Sequence, residues 1–273
     1  SNLGETDAGA SYVVFAQASG APIELSDLGV TTSNGFKIIG DSVDDNAGLS
    51  VSGAGDLNRD GFADLIIGAP VSSPNGTWSG SSYVVYGKND TNTVDLAVIE
   101  ADGNTDGFVI EGLTDNTFLG HSVSDAGDVN GDGYDDFIIG AYQADPNETN
   151  AGASYVVYGR PDLGGNKIGT SIDLAQITAD IGGFVINGAL ENDQSGYSVS
   201  GAGDVNGDGY DDVIIGAPYA DPNDFSGSGA SFVVFGSAVG AAFELADLAT
   251  GAAADPATGF VINGVSEDDY SCL

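Results

Sequence analysis

Three nine-residue stretches hold the side chains best placed for chemistry: Asp56-Leu57-Asn58-Arg59-Asp60-Gly61-Phe62-Ala63-Asp64, Asp128-Val129-Asn130-Gly131-Asp132-Gly133-Tyr134-Asp135-Asp136 and Asp204-Val205-Asn206-Gly207-Asp208-Gly209-Tyr210-Asp211-Asp212. Positions 1, 3, 5 and 9 carry an Asp or Asn oxygen in every copy. Position 6 is Gly, which permits a sharp turn, and position 7 (Phe62, Tyr134, Tyr210) can offer its backbone carbonyl. Alternate oxygens converging on one point are what a hard cation requires. A flexible all-oxygen loop favours calcium, with its six to eight ligands, over magnesium with its tight octahedron. No loop contains His or Cys, which argues against zinc or copper.

The first half of each loop is like an EF-hand, but position 12 should then be a bidentate Glu. Here it is Ile67, Ile139 or Ile215, and the flanks read as strands. Asp64, Asp136 and Asp212 at position 9 are therefore expected to close the three sites where the chain enters the next strand. Asp, Asn and Gly also make ordinary turns, but three copies in phase with a longer repeat favour metal. Three bound calcium ions would change the formal charge from −36 to −30.

The elements that must hold these loops recur with them. Gly35-Phe36-Lys37-Ile38-Ile39-Gly40 returns as Gly107 to Gly112, Gly183 to Gly188 and Gly259 to Gly264, at spacings of 72, 76 and 76 residues. Four short strands per unit follow. Strand one surrounds Val51, Val123 and Val199; strand two runs from Asp64 to Ala69, Asp136 to Ala141 and Asp212 to Ala217. Strand three covers Ser82 to Tyr86, Ser154 to Tyr158 and Ser231 to Phe235, with an earlier copy at Ser11 to Phe15; strand four is the Gly-Phe motif. The apolar run of strand two is expected of a strand covered on both faces. The pairs Leu25/Leu28, Leu96/Ile99, Leu174/Ile177 and Leu245/Leu248 predict one helical turn between strands three and four.

Four antiparallel strands per unit predict an all-β fold, a β-propeller with a calcium loop between the first and second strand of each full blade. Residues 1–46 read as a half-blade, 47–118, 119–194 and 195–264 as blades, and 265–273 as the start of another repeat. A solenoid is the structural alternative. Three and a half blades leave further blades to be supplied, by the same polypeptide or by other chains. The lack of Met likewise reads as a piece of something longer.

Composition narrows the function. With 41 acidic residues against five Lys and Arg, the chain repels nucleic acid and anionic membranes; its expected partners are cations, basic proteins or neutral glycans. Such acidity calls for bound cations or high salt, which points outside the cell. No apolar stretch approaches the length of a membrane span, and no signal-peptide pattern opens the chain. The lone Cys272 allows no internal disulfide. One His and one Cys leave no His-based triad or Cys–His pair, and His121 reads as a packing residue. The chain is therefore expected not to be an enzyme. The loops between strands two and three vary most, and Trp78 in the first is a candidate ligand contact.

The Gly-Phe-x-Ile motif, the Asp-rich loops and the Gly-Ala-Pro at Gly68-Ala69-Pro70 and Gly216-Ala217-Pro218 resemble FG-GAP repeats, the units of the integrin α-subunit propeller and of many large secreted bacterial proteins. The resemblance covers essentially the whole chain. It implies a seven-bladed propeller with calcium in these loops on one rim. The Phe-Gly that names the repeat is here Ala47-Gly48, Leu119-Gly120 and Ser195-Gly196, and the middle Gly-Ala-Pro is Gly140-Ala141-Tyr142. The expectation that follows is a non-catalytic, secreted or cell-surface module for adhesion, binding protein or glycan through its variable loops. The alternatives are a repeat that assembles into a surface layer or filament, and the scaffold part of a larger hydrolase or toxin.

Overall fold

The computed structural model describes residues 8–16, 22–29, 34–99, 105–160, 171–172, 174–177, 182–222, 225–238, 240, 242–249 and 258–270. Cys272 lies outside them. The first sheet begins with β1 (Ala10–Val14), a 3-10 turn at Leu25–Asp27 and β2 (Gly35–Ile39). The next unit holds β3 (Ser50–Gly53), β4 (Leu65–Ala69), β5 (Ser81–Val85), β6 (Val94–Asp95), α1 (Leu96–Ile99) and β7 (Gly107–Glu111). The third runs through β8 (Ser122–Gly127), β9 (Asp136–Ala141), β10 (Ala153–Val157), β11 (Ser171–Ile172), α2 (Leu174–Ile177) and β12 (Gly183–Asn187). The last comprises β13 (Ser198–Gly203), β14 (Asp212–Ala217), β15 (Ala230–Val234), β16 (Phe243–Glu244), α3 (Leu245–Ala249) and β17 (Gly259–Asn263).

In the three full units the four expected strands pair antiparallel in chain order, and a short parallel strand joins three of the four sheets. The orders are β1-β2-β6, β3-β4-β5-β7-β11, β8-β9-β10-β12-β16 and β13-β14-β15-β17. The two-residue strands β6, β11 and β16 were not foreseen. Each lies parallel on strand four of the preceding sheet, as in Ile38 against Val94. Two residues carry no detectable period, so this exchange between neighbouring sheets left no sequence signal.

Strand three begins one residue earlier than expected. Tyr86, Tyr158 and Phe235 fall just past its end, where their amides bond Asp106, Gly182 and Thr258 carbonyls. Their rings, with that of Phe15, meet the Phe of strand four at centroid distances of 6.0 to 6.1 Å in all four sheets. The helical turns form at the expected apolar pairs, and Leu96, Ile99, Leu174, Ile177, Leu245 and Leu248 are all buried.

The core lies in the seams between consecutive sheets. Ile66 of β4 packs with Phe137 and Ile139 of β9, while Ile67, on the other face, packs with Phe36 and Ile38 of β2. Ile138 of β9 points into the next seam, among Val213, Ile215 and Phe232. Both faces of strand two are thus covered, which is why its residues read as a continuous apolar run. The innermost strands touch through serine: the Ser50 and Ser122 hydroxyls each accept, at 3.0 Å, from the Val123 and Val199 amides of the next sheet. Gly68 and Gly140 lie where the next sheet's turn comes closest, and an added Cβ would meet the Gly120 or Gly196 carbonyl at about 2 Å.

Candidate metal centres

Each Asp-rich loop joins strand one to strand two, at one end of its sheet. The backbone folds around the side chains of positions 1, 3 and 5 in the same way three times. The Asp60 amide donates to Asp56 Oδ1 at 3.0 Å and to Asn58 Oδ1 at 2.8 Å, Gly61 donates to Asp56 Oδ2, and Phe62 to Asp60 Oδ1. Asp132 divides its amide between Asp128 and Asn130, and Asp208 between Asp204 and Asn206, at the same two distances. Gly133 and Gly209 reach Asp128 and Asp204 Oδ2, and Tyr134 and Tyr210 reach Asp132 and Asp208 Oδ1. One amide shared by two oxygens holds those oxygens near each other. Gly61, Gly133 and Gly209 make this wrap possible with φ of 93°, 87° and 97°, which other residues rarely adopt.

Position 9 behaves differently. Asp64, Asp136 and Asp212 are fully buried. Asp64 accepts from the Leu57 amide at 3.0 Å and the Gly87 amide at 2.8 Å. Asp136 takes Val129 and Gly159, and Asp212 takes Val205 and Gly236. The carboxylate therefore staples its loop to the end of strand three. Burial pushes Asp64 up to about 7 and Asp136 to about 8, against the lowering effect of those amides, and raises Asp212 as well.

Among the described residues, no three His, Cys, Asp or Glu side chains are gathered at the spacing of a finished metal cluster. Positions 1, 3 and 5 are brought together, and position 9 is turned onto backbone amides. The donor set nonetheless fits a hard cation. Every side-chain ligand is a carboxylate or amide oxygen, each carboxylate oxygen keeps a lone pair beyond its amide bond, and a buried charge with no counter-ion is costly. Position 12 of each loop sits in a buried strand, and both flanks are strands, as expected of a loop distinct from an EF-hand.

One feature of these loops had not been assigned from sequence. At position 8, the Asp135 carboxylate accepts at 2.8 Å from the amide of Asp56, position 1 of the preceding loop, and Asp211 does the same for Asp128. Position 8 is Ala63, Asp135 and Asp211 in the three copies, and it is the two acids that reach the loop before.

The loops leaving strand two and those entering strand one lie at the opposite end of the sheets. Their rings pack in two sets. Trp78 meets Phe118 at 5.7 Å between centroids, and Phe118 meets Tyr142 at 5.4 Å. His121 sits 4.6 Å from both Tyr142 and Tyr197, which are 5.2 Å apart, and Tyr219 meets Tyr270 at 5.5 Å. His121 is the packing residue expected from sequence: its Nδ1 faces the Tyr197 carbonyl at 3.2 Å, and burial lowers its pKa, so the ring is neutral at pH 7. Trp78 is 47% exposed and Tyr219 44%.

Asp193, on the same rim, is buried, and that burial, reinforced by nearby Asp221, pushes it up to about 6. A carboxyl raised on folding stabilises the native state below its unfolded value, and that contribution is lost as pH rises towards about 6. Asp193→Asn is therefore expected to stabilise the protein by about 1–2 kcal/mol above pH 7, a figure reduced for solvent screening at the rim. The gain should shrink as pH falls from about 6 towards 3.8. Urea denaturation at both ends of that interval checks it, and an equal gain at both would refute the assignment.

The sequence matches the FG-GAP repeat family at residues 47–85, 122–157 and 195–234. It is 29% identical over 194 residues to integrin alpha-PS2 of Drosophila melanogaster, covering 69% of this chain and 12% of that protein. It is 32% identical over 168 residues to phosphatidylinositol-glycan-specific phospholipase D of Bos taurus, covering 60% and 18%. With mouse integrin alpha-7 the identity is 29% over 164 residues, covering 59% and 11%. The chain thus spans less than a fifth of the length of these relatives. The matched segments each contain one Asp-rich loop with the strands on either side, and the chain, with three such copies built into an all-β stack of propeller blades, belongs to the FG-GAP repeat proteins.

Proposed function

We propose that this chain is a non-catalytic β-propeller module of a secreted or cell-surface protein, stiffened by three calcium ions on one rim and binding protein or glycan through the loops of the other. The observation that carries the reading is the threefold wrap of backbone amides around positions 1, 3 and 5, in phase with the sheets. Asp56, Asn58, Asp60, Asp64 and the Phe62 carbonyl would hold the first ion; Asp128, Asn130, Asp132, Asp136 and Tyr134 the second; Asp204, Asn206, Asp208, Asp212 and Tyr210 the third. Bound calcium would supply the positive charge that the buried position-9 carboxylates lack, and its binding free energy would add to folding.

The opposite rim supports the binding half of the proposal. Aromatic rings with polar tips make large, rigid contact surfaces, and at a net charge of −36 the ligands they suit are neutral glycans or basic proteins. Trp78→Ala and Tyr219→Ala are expected to weaken a ligand found by screening neutral oligosaccharides and basic proteins by about tenfold, as for an interface anchor, at unchanged melting temperature. Undiminished binding by both variants would remove the rim from the proposal. The match to a phospholipase D favours a second reading, in which such a module is the scaffold of a larger hydrolase.

A further inference from the structure

The three metal loops are joined in series. Asp135 of the second loop holds the Asp56 amide of the first, and an added Cβ at Gly55 would meet its carboxylate at 2.2 Å. Asp211 of the third holds the Asp128 amide of the second at 2.8 Å, while its own amide donates to the Asp128 carbonyl at 3.1 Å. Position 4 completes the link. Arg59 donates to the Gly133 carbonyl and lies 4.2 Å from the Tyr134 ring, and Tyr210 packs over Gly131, whose side chain is absent. The carbonyls of Leu57 and Val129, at position 2, accept from Arg160 and Ser237, just past strand three of the following sheet.

From these contacts we infer that Asp135 and Asp211 are positioning residues that couple the metal sites, so that calcium in one loop prepares the loop before it. The inference rests on the calcium reading above. Each of the two stands next to a position-9 ligand of its own loop, Asp136 or Asp212, and bonds the position-1 ligand of the preceding loop. Ordering one loop around an ion therefore fixes the carboxylate that fixes its neighbour's first ligand. Coupling of this kind is reciprocal, so each site raises the other's affinity by the same factor.

Calorimetric titration of the full chain with calcium chloride tests this, followed in parallel by circular dichroism. Wild type is expected to bind three ions with a Hill slope above one, which independent sites cannot produce. Asp135→Ala should still bind three, with affinity lowered about fivefold or more at one pair of sites and a flatter slope. Asp135→Asn, which keeps the accepting oxygen but not the charge, should restore the wild-type isotherm. Three ions bound with a slope of one or less in wild type, or an alanine variant identical to wild type, would overturn the coupling and leave the calcium reading standing. An asparagine variant as impaired as alanine would show that charge, not the hydrogen bond, matters, and would also overturn it. Should the alanine variant not fold, the wild-type slope and the asparagine variant decide. Absence of calcium binding altogether would instead refute the metal reading.

Discussion

Chelation with EDTA is expected to lower the melting temperature by about 16–32 °C. A ligand present at a hundred times its dissociation constant stabilises the native state by about 2.7 kcal/mol, so three sites contribute about 8 kcal/mol. At about 2–4 °C per kcal/mol for a domain approaching this size, the stated interval follows. The physical source is local. Asp64, Asp136 and Asp212 are fully buried carboxylates whose charge burial opposes; Asp64 shares its loop with two further carboxylates, and Asp136 and Asp212 with three each. Scanning calorimetry with EDTA, then with calcium or magnesium in excess, is the measurement. Calcium should restore the transition fully and magnesium only in part, because the wrap suits a larger, more flexible coordination sphere. If the chelated protein melts where the untreated one does, the structural calcium sites do not exist. If 0.5 M sodium chloride restores the transition as well as calcium does, general screening of the acidic surface is the cause instead.

The second large effect is independent of metal. Phe137→Ala is expected to cost about 3–5 kcal/mol, the usual range for emptying a buried aromatic site. Phe137 is fully buried in the seam between two sheets, its ring centroid 6.5 Å from that of Phe108. Rigid strands hold both sides of that seam, so little collapse into the cavity is available. Urea denaturation should give the same loss with calcium and with EDTA, since the ring lies on strand two, in the seam between two sheets. A loss below about 1 kcal/mol would show that the seams are not the core. Val205→Ala, at a side chain 52% exposed, should change stability by no more than about 0.5 kcal/mol, as surface substitutions do.

How far the sequence could be read depended on how far apart the interacting residues lie. Strand two was legible because Phe137, Ile138 and Ile139 point alternately into two seams and must all be apolar. The helical turns were legible because Leu96 and Ile99 stand on one face of a single turn. The Asp-rich loops were legible because one pattern of oxygens and glycines recurs over nine consecutive residues in all three copies. The fifth strands were not: Val94 and Asp95 owe their conformation to Ile38 and Ile39 of the preceding sheet, and nothing local records it. The role of position 9 was read only in part, since its amide partners Gly87, Gly159 and Gly236 lie on the far side of strand three.

By itself, then, the sequence determined the repeat, the strand order within a blade, the alternation that buries both faces of strand two, and the oxygen set of each loop. These are local patterns, written within a few residues by side-chain period and the spacing of the loop oxygens. Only the tertiary structure decided which loop touches which. Asp135 and Asp56 are 79 residues apart, and Asp211 and Asp128 are 83. They meet because consecutive blades stack, and Phe118, Tyr142, His121 and Tyr197 meet on the opposite rim for the same reason. Contacts between residues a whole blade apart depend on how the sheets pack across their seams, and no period along the chain encodes that.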